Sequence, residues 1–289
     1  RLYPGLCMSQ SFKKEKMMHA RCQMCVIAIM SFFSSAAVAQ PQTVMAWCSP
    51  ATSNSASVTG SGNNYTVTFV CSNSTQSTTC FVRGGQYDIL DNVFISGDTG
   101  GQEVKLDIQR TGGGNQAIGG ASYISSTADG PVVVERAFIT NVGSVSVNRI
   151  VGLYAGNITG TITCVPSTDS PSNNNITTLG AKFSLTGSVI VDYGRVGEIS
   201  VSDTGGMIGT ASAPATIRVR DEIGYLYGIN GVHANIDGPN GLPPKIGSIA
   251  VGDGDIKGVM RFSEFYRDQQ HGFGIRVLNT GNFTGTVII

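Results

Sequence analysis

The sequence predicts an all-β chain built as a right-handed parallel β-helix (a β-solenoid) with an N-terminal capping region. Three observations carry this expectation. Apolar residues recur at every second position in short runs such as Val104-Lys105-Leu106-Asp107-Ile108 and Val145-Ser146-Val147, the period of a strand. Glycine is in excess, 38 of 289 residues, while charged residues are only 13%; typical shares are roughly 7% and roughly 25%. Finally, much of that glycine falls on a fixed beat. One unit, apolar-Gly-x-apolar, places Gly143, Gly197, Gly224 and Gly247 in equivalent settings. A second, apolar-x-Gly-x-apolar, places Gly160, Gly187, Gly209, Gly231, Gly258 and Gly285 at separations of 22 to 27 residues. A period of that length accommodates three short strands, too few to bury a face alone, which stacking coil on coil would complete. The competing expectation is a two-sheet β-sandwich, which also uses short strands and frequent turns.

Taken in chain order, residues 1–39 read as a signal peptide with upstream residues. Lys13, Lys14, Lys16 and Arg21 precede the apolar stretch Cys25–Phe33, and Ala37-Val38-Ala39 is a small-x-small cleavage site. That stretch is too short for a membrane span of about 20 residues, so no span is expected in the mature fragment. Its removal takes five of the 19 basic residues and one of the 19 acidic ones, leaving a slightly acidic exported part. Cys7, Cys22 and Cys25 leave with it, and Cys48, Cys71, Cys80 and Cys164 remain. An even number of cysteines in an exported chain suits disulfides. Cys71 and Cys80 flank the polar run Ser72–Thr79 and are the expected pair; a metal site is the alternative, disfavoured because no His lies near them and the spacing is not that of a zinc ribbon. Residues 40–84 are expected to form the leader and cap, irregular up to residue 64, with Tyr65–Val70 as the first clear strand. Residues 85–289 form the expected solenoid. The chain starts at Arg1 and stops within a strand pattern at Ile289, so a truncated C-terminus is expected.

On its repeat pattern alone, the segment 85–289 resembles the right-handed parallel β-helix superfamily, which includes pectate-lyase-like enzymes, passenger domains and secreted adhesins. That resemblance implies an elongated polar face and, in its enzymatic members, action on polysaccharides. No catalytic signature of those enzymes accompanies it.

The chemistry-bearing residues are few. No nucleophile elbow, zinc-protease motif, phosphate loop or dinucleotide fingerprint occurs. With no basic run past the leader, nucleic acid is not an expected partner. Arg218 and Arg220 follow Ala215-Thr216-Ile217 and would neutralise a uronate carboxylate or serve a lyase as base. The segment Arg261–Phe273 concentrates aromatics and charge, and Glu264, Asp268 and His271 are its candidates for proton transfer. Asp237, Asp253 and Asp255 offer carboxylate oxygens that Ca²⁺ would accept, although Asp-Gly is first a turn pair. His233 interrupts Val232, Ala234 and Ile236, and a register slip is expected to turn it outward.

The function expected from these residues is that of a secreted or cell-surface protein, with the periplasm as an alternative location. Its role would be structural, adhesive or carbohydrate-contacting, with polysaccharide or cell-surface material as partner and no cofactor. The alternative is a polysaccharide lyase or glycoside hydrolase on the same scaffold, an expectation resting on analogy of fold.

Overall fold

The computed structural model describes residues 44–166, 175–267 and 274–289. The signal sequence read at 1–39 lies outside them, as do Asp268 and His271. Among the described residues the structure is strands and turns, with one short 3-10 turn at Pro239–Gly241 and no α-helix. No helix there is long and apolar enough to cross a membrane.

The chain enters through β1 (Met45–Ser49), β2 (Asn54–Ser61), β3 (Asn64–Cys71) and β4 (Thr78–Gly84). Next come β5 (Ile89–Ser96), β6 (Val104–Arg110), β7 (Ile118–Ser126), β8 (Val132–Val147) and β9 (Arg149–Ile158). The middle holds β10 (Thr161–Cys164), β11 (Ile176–Leu185), β12 (Ser188–Val191), β13 (Arg195–Val201), β14 (Met207–Ile208) and β15 (Ala215–Val219). The strands β16 (Glu222–Gly228), β17 (Gly231–Asp237), β18 (Lys245–Val251) and β19 (Asp255–Lys257) follow. Last are β20 (Val259–Arg261), β21 (Glu264–Phe265), β22 (Gly274–Val277) and β23 (Thr286–Ile288).

Among the described residues two pairings are antiparallel, β1 with β4 and β2 with β3. All other strand pairings are parallel. The stretch 40–64, expected to be irregular, therefore supplies two strands. Its Ser/Thr alternation is weak in apolar content, but β2 needs only one covered face, and its burial alternates between half-buried and exposed over its first residues.

The expected open β-helix, and with it the superfamily resemblance, is corrected by how these strands connect. Eight of them close a ring of parallel pairs: β8 to β9, β9 to β11, β11 to β14, β14 to β17, β17 to β15, β15 to β12, β12 to β10, and β10 back to β8. The fold is thus an all-β closed eight-strand parallel barrel with further strands outside it. The β-sandwich alternative fails as well, because a sandwich is antiparallel. Closure has an identifiable origin. β8 is 16 residues long and pairs with β9 through its first two thirds and with β10 through its last three residues. Likewise, β17 receives both β14 and β15. Strands shared between two ladders join those ladders, and a local repeat motif carries no record of that sharing.

Alternation within each strand sends aliphatic side chains inward, as the burial of β4, β10 and β12 shows residue by residue. In-register pairing then lines them up in rows. Val145, Ile162, Val189, Ile217, Ile236 and Met260 form one row. Leu153, Leu179, Ile199, Leu226 and Ile249 form another. All of these are 0–1% exposed. At roughly 1.5–3 kcal/mol per buried aliphatic side chain, these rows are the main source of stability. The repeated glycines follow this register only in part: Ala215 and Ala234 stand between Gly187 and Gly258 in the ladder, and Gly231 pairs with Asp255 outside that row. Gly143 does not belong with Gly197 and Gly224; it approaches Gly160, which in turn approaches Gly187. Gly209, the weaker copy, begins a longer turn closed by mutual backbone hydrogen bonds between Thr210 and Ala213.

Candidate functional site

The arginine pair singled out in the sequence lines a cleft of about 470 Å³ together with Asp192, Tyr193, Pro239, Asn240 and Leu242. That volume lies in the range typical of small-ligand sites, roughly 300–1,000 Å³. In β15, Ile217 and Val219 are buried and Arg218 points outward between them. Its guanidinium donates to both carboxylate oxygens of Asp192, Nε to Oδ1 at 2.8 Å and Nη2 to Oδ2 at 3.0 Å. This bidentate pair raises the pKa of Arg218 above its ordinary value, chiefly through the Asp192 hydrogen bonds.

Arg220 lies just past the strand, where its backbone N–H donates to the Val191 carbonyl. Its guanidinium carbon sits 5.2 Å from the centroid of the Tyr193 ring, within cation–π range. Tyr193 is 41% exposed and Leu242 is 66% exposed, so the cleft offers an aromatic face and an aliphatic edge to solvent. The opposite rim is the 3-10 turn, where Asn240 adopts a left-handed φ of 56°. Sequence reasoning found the two arginines and missed Asp192 and Tyr193.

The other sequence candidates are dispersed. Glu264 is exposed and salt-bridged to Lys245 across the β18–β21 pair. The structure does not describe Asp268 or His271, the residues expected to act with it. Each of the three aspartates proposed for Ca²⁺ is engaged elsewhere. Asp237 binds Arg261 at 2.9 Å and accepts the Gly238 N–H. Asp253 accepts the Thr280 hydroxyl. Asp255 binds Lys257 at 2.9 Å and accepts the Asn282 N–H. Their oxygens do not converge to the spacing of a shared cation.

His233 shows the expected slip, since Ile236 is the residue in register with Ile217 and Met260. His233 lies beside Lys257 in the β17–β19 pairing, opposite in face to the buried Val232, yet the residue is only 8% exposed and its Nδ1 is buried without a hydrogen bond. Burial first, and then the charge of Lys257, lower its pKa.

The expected Cys71–Cys80 disulfide is also corrected. Both residues are unbridged thiols, as are Cys48 and Cys164. The Cys71 and Cys80 sulfurs lie 3.5 Å apart, well beyond a disulfide bond of about 2.05 Å. A third thiol, Cys48, reaches within 3.7 Å of Cys80, because β1 pairs antiparallel with β4 and sets the two residues opposite each other. Hydrogen bonds from Cys48 and then Cys80 hold Cys71 down at about 4. The same shared protons, reinforced by burial, push Cys48 up to about 12 and raise Cys80 further. Cys164 is isolated in the interior and raised by burial alone.

No family model and no curated protein matches this chain.

Proposed function

We propose that this chain is an exported or cell-surface carbohydrate-contacting protein, with a structural or adhesive role, that docks acidic glycans in the Tyr193–Arg220 cleft. The observation that carries the reading is the Arg220 guanidinium stacked on an exposed tyrosine at the rim of a cleft already holding Arg218. A sugar ring presents an apolar C–H face that an aromatic ring can stack against, and a uronate adds a carboxylate that a planar guanidinium pairs bidentately. Export rests on the leader-like sequence at 1–39.

The lyase alternative would use the same residues. It needs a base, and Arg218 is a protonated guanidinium already paired bidentately with Asp192, so it supplies none. Binding is therefore the better-supported role.

Calorimetric titration with oligogalacturonate, oligoalginate and a neutral glucan separates the readings. The acidic oligomers are expected to bind and the neutral one to bind at least tenfold more weakly. Tyr193→Ala and Arg220→Ala should each weaken binding roughly tenfold, about 1.4 kcal/mol. Equal affinity for acidic and neutral chains would refute the assignment. Release of unsaturated products absorbing in the ultraviolet would favour the lyase.

A further inference from the structure

We propose that Cys48, Cys71 and Cys80 form a binding site for a soft d¹⁰ metal ion, zinc in the first instance, held by three thiolates. The three sulfurs come from three different strands, β1, β3 and β4, and all lie within 4.8 Å of one another. They are the one such convergent group of His, Cys, Asp or Glu side chains among the described residues. Cys71 and Cys80 are 0% exposed and Cys48 is 8% exposed, so the cluster is enclosed and has its edge at Cys48.

The spacing fits a metal better than a disulfide. Zinc–thiolate bonds of about 2.3 Å in tetrahedral geometry set sulfurs roughly 3.8 Å apart. The observed 3.5 Å and 3.7 Å both lie just under that separation. A disulfide would consume two sulfurs and strand the third in contact with it, where thiol–disulfide exchange would scramble the pairing. A metal engages all three at once. The donor set also selects the ion. Thiolates alone suit zinc and cuprous ions, whereas Ca²⁺ and Mg²⁺ require oxygen ligands. Charge favours the divalent ion, because three thiolates around Zn²⁺ leave one net negative charge in a buried site and around Cu⁺ leave two. Binding displaces the thiol protons that the cluster still holds, so affinity rises with pH. The Ser55 carbonyl, 3.7 Å from the Cys48 sulfur, lies beside the open side of the cluster. Metal bound here would clamp the antiparallel entry strand β1 onto β3 and β4.

The test uses the full chain, reduced and stripped with a chelator, then titrated anaerobically with Co²⁺ and back-titrated with Zn²⁺. One equivalent of Co²⁺ per chain is expected to give thiolate-to-cobalt charge-transfer absorption and the intense visible bands of tetrahedral cobalt, both abolished by one equivalent of Zn²⁺. Cys48→Ser, at the exposed edge of the cluster, should fold and lose at least tenfold in Co²⁺ affinity. Cys164→Ser and the combined Cys7→Ser, Cys22→Ser, Cys25→Ser variant should retain the wild-type spectrum. A parallel Cu⁺ titration with a competing chelator reports whether the cuprous ion binds more tightly, which would replace zinc as the occupant. Absence of the cobalt spectrum at tenfold excess over the wild-type chain overturns the proposal. So does retention of that spectrum by Cys48→Ser, or its loss in the control variants.

Discussion

The glycine at position 187 gives the sharpest test of how the repeat builds the fold. A Cβ added there would fall on the carbonyl oxygen of Gly160, with the Gly160 carbonyl carbon and the Thr159 backbone close behind. Every atom it meets is main chain, so no flexible side chain can move aside. The neighbouring backbone is itself fixed by the in-register pairing of Thr161 and Ile162 with Ser188 and Val189. Gly187→Ala should therefore cost as much as a severe overpacking substitution, about 3 kcal/mol. For a domain of this size, with roughly 2–4 °C lost per kcal/mol, the melting temperature should fall by about 6–12 °C. Gly120→Ala is the control. Gly120 lies within β7 and is buried, whereas Gly187 sits half-buried in the bend before β12, but the nearest atom to the Cβ added at Gly120 is the Asn141 carbonyl oxygen at 3.5 Å, an ordinary contact. There the loss of unfolded-chain entropy should leave stability unchanged or raised by up to about 1 kcal/mol. Thermal melts followed by circular dichroism at the β-sheet minimum measure both. A Gly187→Ala protein melting within about 2 °C of wild type would refute the close-approach argument, as would an equal fall for Gly120→Ala.

Two further perturbations probe polar groups inside the fold. Asp107, 5% exposed, binds Arg83 at 2.8 Å and Arg136 at 2.7 Å and accepts from Gln109. Asp107→Asn should lower stability by about 2 kcal/mol, less than the full cost of breaking a buried pair because Arg136 is half exposed, whereas Arg136→Ala should cost under about 1 kcal/mol; urea midpoints of the two variants give the comparison. His233 is neutral in the fold, with its pKa below the ordinary 6.5. The unfolded chain therefore takes up a proton at higher pH than the folded chain does. Stability is complete above about pH 6.5 and falls as pH drops below it, by at most about 1.4 kcal/mol per pH unit, until the folded histidine also protonates. His233→Gln should flatten the dependence of melting temperature on pH between 7.5 and 5.5, and an unchanged slope would show that Lys257 and Asp255, which face the ring, or other groups set it.

The strand content and the inward faces were legible because alternation is a local property. Val145, Val189 and Ile217 announce their burial in their own neighbourhoods. Closure was not legible, because it depends on β8 and β17 each belonging to two ladders, and nothing in Val132–Val147 marks where one partner ends and the next begins. The resemblance to the β-helix superfamily failed for the same reason: it rested on the repeat, and a repeat fixes which residues are neighbours without fixing how the ladders join. The thiol cluster was half legible. Cys71 and Cys80 bracket a polar loop and invite pairing, whereas Cys48 arrives through an antiparallel strand, outside the repeat altogether.

The cleft was also half legible, and the missing half obeys the repeat. Arg218 binds a residue 26 positions earlier, and Arg220 stacks on one 27 positions earlier. The same offset recurs in the contacts of Asn157 with Ser184, of Asp253 with Thr280 and of Asp255 with Asn282. Parallel in-register strands put side chains one repeat apart side by side, so a set of polar partners in this fold is found a repeat away, beside others that are near neighbours in sequence. Subtracting 27 from Arg220 reaches Tyr193 directly. The charged cluster read as Arg218, Arg220, Asp221 and Glu222 was a grouping along the chain, whereas the cleft is a grouping across strands, and only the second places an aromatic ring under a guanidinium.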